Sequence, residues 1–265
     1  MSVLLLQLAG PLQSWGATAR FARRTTENAP TKSGVLGLLA AAQGRDRTAD
    51  LTDLAALRFG VRVDQPGTRL RDYQTAQHAD TGKSMPVSEC FYLADAVFVA
   101  ALEGDHELLS ELHRALRRPV YTPYLGRRSC PPARPVELGL HTDRDLAQAL
   151  AREPWHASKW YLRRLARRTD VRLTTLVEAA GPPARTDALR DVPLSFDPRH
   201  RRYALRGVVT GSVPAPAADR DIEPGRFPAD PGPGPTGDSP ASSFIPTVPD
   251  PRVSHHDPMP PLRGD

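Results

Sequence analysis

The chain has 265 residues, 40% of them apolar, enough to bury a core in one large domain or two small ones. Residues 214–265 hold 14 of the 28 prolines with eight acidic and four basic side chains, so we expect a disordered Pro-rich tail. Residues 1–213 then carry 31 basic and 22 acidic side chains. A net charge near +9 indicates an anionic partner, nucleic acid before a membrane surface.

Several classes of protein are disfavoured by the same sequence. Cys90 and Cys130 have no metal-ligand or redox spacing, so we expect free thiols, no metal and no cofactor. The apolar start is interrupted at Gln7 and ends at Gly10, which is typical of a strand and not of a signal peptide. No run approaches the roughly 20 apolar residues of a membrane span. We therefore expect a cytoplasmic protein without a membrane partner.

The first half of the chain predicts a strand over residues 3–9 near the middle of a sheet, followed by a helix from Thr31 or Ser33 to Gly44. A short helix over 51–57 and a strand over 59–64 come next. Residues 69–89 are polar and aperiodic, which predicts a projecting loop or hairpin with a function.

The second half continues with a strand over 91–102, a helix over 107–116, a rigid turn over 119–132 and a strand over 136–140. Strand, helix, strand, strand, helix, strand is the ferredoxin-like pattern of an α+β domain. We expect this domain to span 1–140 with both helices on one face of the sheet, which leaves the opposite face for a ligand.

Residues 141–213 are expected to form a small C-terminal extension. It contains a short helix over 143–152 and a final strand pair over 171–177 and 203–209. Between them lie four arginines at helical spacing, for which a charged outer face and contact with DNA or another subunit both remain open: Arg163, Arg164, Arg167 and Arg168.

Two segments are candidates for anion binding, each with an alternative: residues 31–34 could be an ordinary capped helix start with an exposed lysine, and Arg127 and Arg128 could pair with local carboxylates. The helix start at 31–34 offers unpaired N–H groups, hydroxyls and a lysine, all of which attract phosphate. Arginines in a rigid turn lose less entropy when they grip phosphate, which makes Arg127 and Arg128 beside Gly126 candidate phosphate contacts. Tyr121 and Tyr124 are expected to brace that turn.

Four motifs resemble those of the CasD family, the fifth class of CRISPR-associated protein in type I-E systems. They read LAGPLQSWG (8–16), PTKSGVLGLL (30–39), LRDYQT (70–75) and YTPYLGRRSCP (121–131). The resemblance implies a non-catalytic subunit of the Cascade surveillance complex with an RRM-related domain and a projecting thumb, here at residues 69–89. It further implies that the chain binds and caps the 5′ handle of the CRISPR RNA, contacts the backbone and large subunits, and reaches target DNA through the complex.

The candidate RNA-binding residues lie in the four motifs and the basic loop after the first: Gln13, Trp15, Arg20, Arg23, Arg24, Thr31, Lys32, Ser33, Gly34, Arg71, Tyr73, Gln74, Gly126, Arg127, Arg128 and Ser129. Trp15 could pack in the core or stack a base, and the two readings are even. We expect Lys32, Arg71 and Arg127 to converge on one groove.

The alternative function is a metal-independent endoribonuclease that processes repeat RNA, which requires an acid and a base beside the 2′-hydroxyl. The eight histidines are scattered, and no tight acid–base cluster is visible. We therefore expect binding without catalysis. A generic RRM-like protein without a CRISPR role is a third, weaker hypothesis.

Overall fold

The structure, a computed structural model, describes residues 1–16, 23–179, 187–197 and 199–216. In the first part lie β1 (Ser2–Ala9), β2 (Leu12–Gln13), β3 (Arg23–Arg24), α1 (Lys32–Ala42), α2 (Thr52–Ala56), β4 (Arg58–Gln65), β5 (Thr68–Gln74), β6 (Ser88–Ala94) and β7 (Val97–Gly104). They are followed by α3 (His106–Arg117), β8 (Glu137–His141), α4 (Leu146–Arg152), α5 (Lys159–Leu165), β9 (Arg172–Glu178), β10 (Asp187–Ser195) and β11 (Arg202–Pro214).

All eight residues of strand β1 are buried, although the strand lies second from one edge of the main sheet, between β7 and β8, and not near its middle as predicted. Because side chains alternate along a strand, Leu4, Leu6 and Leu8 face the core formed with α1 and α3. Val3 and Leu5 face the other way and pack against α4. The prediction that the opposite face is left for a ligand is therefore wrong, since α4 covers it with an apolar side.

Seven of the described strands form one antiparallel sheet in the order β10-β11-β9-β4-β7-β1-β8. The mixed α+β class is confirmed. In place of the expected final pair of strands, three strands, β9, β11 and β10, continue the sheet from the edge of β4. Strand β10 was not predicted. Strand β11 runs to Pro214, and the Ala215 amide donates to the Val171 carbonyl at 2.8 Å. The sheet thus extends past the predicted start of the tail, and residues 217–265 lie outside the described part.

A smaller sheet contains β2, β6 and β3, with β5 paired to β6. Strands β5 and β6 form a hairpin in which Thr68 pairs with Ala94 and Gln74 with Ser88, and its tip is exposed. The predicted strand over 91–102 is in fact two strands in different sheets. Asp95, with φ 55°, makes the turn between them, and alternating apolar residues on both sides of it disguised the break.

The described helices are all too short or too polar to cross a membrane. Cys90 and Cys130 are buried free thiols. Within the described ranges, the acidic, histidine and cysteine side chains do not form a group that could hold a metal ion.

Candidate nucleic-acid interface

The turn over residues 125–130 is fixed by backbone hydrogen bonds. The Leu125 amide donates to the Cys130 carbonyl at 2.8 Å, and the Ser14 amide donates to the Leu125 carbonyl at 3.1 Å. Gly126 has φ +84°, and a Cβ built on it would lie 1.8 Å from the Ser14 carbonyl oxygen. Only glycine fits there. The absence of a side chain thus allows a close approach of the chain's own backbone at Ser14.

Arg127 and Arg128 differ in their contacts and in their exposure to solvent. The Arg127 guanidinium donates to the Arg24 carbonyl at 2.8 Å and lies 4.8 Å from the centroid of the Tyr92 ring. Arg127 thus joins the turn to β3 while remaining partly accessible. Arg128 and Ser129 are exposed.

Gln13 and Trp15 form a buried polar pair beneath this turn. The Trp15 indole N–H donates to Gln13 Oε1 at 3.0 Å, and Gln13 Nε2 donates to the carbonyls of Leu8 and Ala96 at 2.9 and 2.8 Å. Both side chains have no exposed surface. Trp15 therefore packs in the core, and its ring offers no free face to a base in this conformation.

The start of α1 is already occupied by protein groups. Thr31 caps it by accepting from the Gly34 amide at 3.3 Å, and the Lys32 amide donates to Asp191 Oδ2 at 2.8 Å. Asp191 is fully buried and receives two further hydrogen bonds from Arg206, at 2.8 and 2.7 Å. The Lys32 amide is therefore not open to a phosphate in this conformation, because a carboxylate from β10 already accepts from it.

The Lys32 side chain is also paired within the protein, and only 2% of its surface is exposed. Its ammonium donates to both oxygens of Glu178, at 3.1 and 3.0 Å. Burial lowers the pKa of Lys32, and the attraction of Glu178 opposes that shift. Lys32 is therefore a structural cation that ties α1 to β9, and it is not presented to a ligand in this conformation.

Of the hairpin candidates, Gln74 reaches the same aromatic side chain as the turn, since its Nε2 donates to the Tyr92 hydroxyl at 3.4 Å. Arg71 stacks over the Tyr73 ring, 4.9 Å from its centroid, and Gln74 donates to Asp72 at 3.1 Å. Arg23 lies 5.4 Å from the Phe91 ring centroid. Arg20 falls outside the described residues.

An open cleft of about 1620 Å³ lies between the turn, α1 and the ends of the last strands. Of the predicted residues, it is lined by Trp15, Arg24, Thr31, Ser33, Gly34, Gly126, Arg127 and Arg128. Arg71 and Lys32 are not in the described lining. The expected convergence of Lys32, Arg71 and Arg127 on one groove is therefore not met, although a different set of cations does converge.

Arginines dominate the charge of this cleft. Its described lining contains a single carboxylate, Asp46, and seven arginines: Arg24, Arg45, Arg47, Arg127, Arg128, Arg190 and Arg201. Arg45 is paired with Asp53, whose hydrogen bonds raise the pKa of that guanidinium. Across the described part of the chain, the other six have no carboxylate within salt-bridge distance. We name this set the arginine cleft.

Four of these arginines, Arg45, Arg47, Arg190 and Arg201, were missed by the sequence reasoning. Arg45 and Arg47 follow the C-terminus of α1, and Arg201 belongs to a run of basic residues that the sequence shows directly. No local pattern marks their convergence, because the segments meet only through the pairing of β9, β10 and β11 with the sheet.

Comparisons with known proteins agree on one family. A family model described as CRISPR-associated protein (Cas_Cas5) matches residues 3–209. The chain is 41% identical to the CRISPR system Cascade subunit CasD of Escherichia coli (strain K12), over 56% of this chain and 75% of that protein.

Two solved structures are similar as well. One, described as a crystal structure of Cas protein, is 38% identical with a TM-score of 0.64, covering 82% of this chain and 98% of its own. The other is a chain of a CRISPR RNA-guided surveillance complex, 34% identical with a TM-score of 0.66, covering 81% and 91%. The chain therefore belongs to the Cas5/CasD family of CRISPR-associated proteins.

Proposed function

We propose that this chain is a subunit of a Cascade-type, RNA-guided surveillance complex and that it binds the 5′ handle of the CRISPR RNA in the arginine cleft. The single observation that carries the proposal is the excess of seven arginines over one carboxylate in that lining. The names of two relatives, a Cascade subunit and a chain of a surveillance complex, support the assembly.

The chemistry of the cleft suits a single RNA strand. Arginine presents a planar fork of donors that matches two phosphate oxygens at once, and the rigid turn holds Arg127 in place before RNA arrives. Thr25, Ser33 and Thr122 add hydroxyls to the lining, where they can pair with 2′-hydroxyls. Such a site recognises an unpaired strand by its backbone and splayed bases.

Binding without cleavage is the better-supported function of the two candidates. The described ionisable side chains of the cleft are arginines, one aspartate and the tyrosines Tyr121, Tyr124 and Tyr203. Guanidinium groups hold charge but do not exchange protons near neutral pH, whereas RNA cleavage needs a proton acceptor. Incubating the protein with repeat RNA in EDTA tests the alternative, since a discrete product would establish a metal-independent endoribonuclease.

The finer architectural assignments belong to the same proposal. The order β8-β1-β7-β4, with α1 and α3 as the intervening helices, supports a ferredoxin-like core followed by an extension over 141–213. The exposed β5–β6 hairpin supports the thumb, through which backbone subunits would be contacted. We further propose contact with the large subunit, access to target DNA through the complex, and a cytoplasmic location.

A salt titration with matched variants tests the arginine cleft. Arg128→Ala with Arg201→Ala removes two exposed cations from separate parts of the lining. Each lost phosphate contact should reduce the slope of log affinity against log salt by about 0.7 for a single strand, so the double variant should lose about 1.4. Arg117→Ala with Arg118→Ala is the control, since both are exposed and lie outside the cleft lining. Equal slopes for all three proteins would remove the cleft from the RNA interface.

A further inference from the structure

A second, smaller pocket of about 330 Å³ lies between α5 and the turn that joins β4 to β5. Its described lining shares no residue with the arginine cleft. Trp160 lies on its rim with 47% of its surface exposed, whereas Trp15 and Trp155 are buried. Trp160 therefore offers an accessible indole beside this pocket.

A chain of aromatic contacts holds Trp160 in place. Its ring meets Tyr161 edge-on at a centroid distance of 5.6 Å, and Tyr161 meets Trp155 edge-on at 6.5 Å. The Trp155 indole N–H in turn donates to the Asp64 carbonyl at 2.9 Å. Trp160 is therefore supported from behind while its outer surface stays open, so little side-chain entropy remains to be lost on stacking.

The opposite wall of the pocket is also fixed. Gln65 Oε1 accepts from the backbone amide and hydroxyl of Ser158 at 3.1 and 2.7 Å, which joins β4 to the start of α5. Gly67 has φ +72°, and a Cβ there would lie 2.5 Å from the Ala94 carbonyl oxygen. The pocket is thus preformed, with walls that do not depend on a ligand.

The four arginines of this region fall into two pairs. Arg164 and Arg168 line the pocket, while Arg163 and Arg167 are exposed outside its described lining. Asp95 is the one carboxylate in that lining. The pocket therefore combines an open aromatic ring with two cations and a small net positive charge.

We propose that this pocket binds a second segment of single-stranded nucleic acid, with one base stacked on Trp160 and neighbouring phosphates held by Arg164 and Arg168. Stacking on an aromatic side chain beside arginines is how proteins hold unpaired strands without reading their sequence. An acidic peptide could use the arginines, but it would leave the indole without a planar partner. The observations therefore favour a nucleotide over a protein.

Tryptophan fluorescence of the full-length protein tests the proposal directly, because Trp160 is the exposed one of three tryptophans. We expect saturable quenching by oligouridylate or oligothymidylate of about eight nucleotides, within the range of single-strand sites. Tighter quenching by the RNA oligomer would identify guide RNA as the source, and tighter quenching by the DNA oligomer would identify a displaced or target strand. Trp160→Phe should abolish the quenching.

Matched variants locate the binding. In the Arg128→Ala/Arg201→Ala background, a labelled oligomer followed by anisotropy should bind about 5- to 150-fold more weakly after Trp160→Ala, which corresponds to 1–3 kcal/mol of stacking. Trp160→Phe should largely preserve that affinity. Arg164→Ala with Arg168→Ala should lower the salt slope, whereas Arg163→Ala with Arg167→Ala removes the same charge and should not.

Three results would overturn the second site. The first is the absence of quenching with both oligomers. The second is quenching that disappears with Arg128→Ala/Arg201→Ala but survives Arg164→Ala/Arg168→Ala, because the signal would then come from the arginine cleft. The third is shielding of Trp160 from acrylamide by protein subunits alone, which would make this surface a protein interface. None of the three affects the cleft proposal, which rests on the salt titration.

Discussion

Gly126→Ala is the sharpest test of how the arginine cleft is built, because it changes no charge. A residue with φ +84° is in the left-handed region, where an L-residue costs about 1–2 kcal/mol more than glycine. The added Cβ would also lie 1.8 Å from the Ser14 carbonyl oxygen, a backbone atom that cannot rotate away. Overpacking of this kind adds about 1–3 kcal/mol, so the total should be about 2–5 kcal/mol.

The control is Gly82→Ala in the hairpin tip. Gly82 has a similar φ of +63°, but no atom lies within 4 Å of its built Cβ. This variant should cost at most about 1–2 kcal/mol, which isolates the contribution of the left-handed backbone from that of the clash.

Both variants can be measured by thermal and chemical denaturation, followed by binding of 5′-handle RNA. Each kcal/mol should lower Tm by about 2–4 °C for a folded part of this size. Gly126→Ala should also weaken RNA binding, because the turn that holds Arg127 and Arg128 must shift. Equal losses for Gly126→Ala and Gly82→Ala would refute the claim that the Ser14 contact fixes the turn.

Three further predictions concern buried charges. Lys32→Met should lower stability by about 1–3 kcal/mol, because Glu178 loses its cation, yet it should leave the salt slope of RNA binding unchanged. Burial lowers the pKa of Lys32 in the folded protein below its ordinary value of 10.5. At pH values between the two, the Lys32 amine is protonated in the unfolded chain but largely neutral in the folded one. The stability of wild type relative to Lys32→Met should therefore rise with pH across that window, and a fall would show the opposite shift. Arg62→Met, which leaves Asp64 buried without its partner, should cost about 3–5 kcal/mol by chemical denaturation, against about 1 kcal/mol or less for Arg23→Met, whose pair with Glu89 is exposed to solvent.

The parts of the fold that the sequence predicts well are those with a strong local signal. β1 is a continuous apolar run, and α3 has leucines at helical spacing, so both elements were predicted within a few residues of their bounds. The Asp95 turn was missed because its apolar flanks continue the alternation of a single strand. Local patterns locate elements, but they do not show where a strand leaves one sheet for another.

The site shows the same division. The turn at Arg127 and Arg128 combines glycine, proline and arginine within a few residues, and it does line the cleft. At the start of α1, the acceptor of the Lys32 amide is Asp191, which lies 159 residues further along the chain. No spacing rule links residues so distant, and only the pairing of the last strands with the sheet reveals that the amide is already used.

That long-range cap of α1 has a consequence for biosynthesis. The positive end of the helix emerges from the ribosome early, whereas Glu178, Asp191 and Arg206 follow only when most of the chain has been made. Until they arrive, the buried lysine and the uncapped amide have no counter-charge. The nascent N-terminal half also lacks Arg190 and Arg201 of the arginine cleft, so we expect the proposed RNA binding only after the last strands have been made.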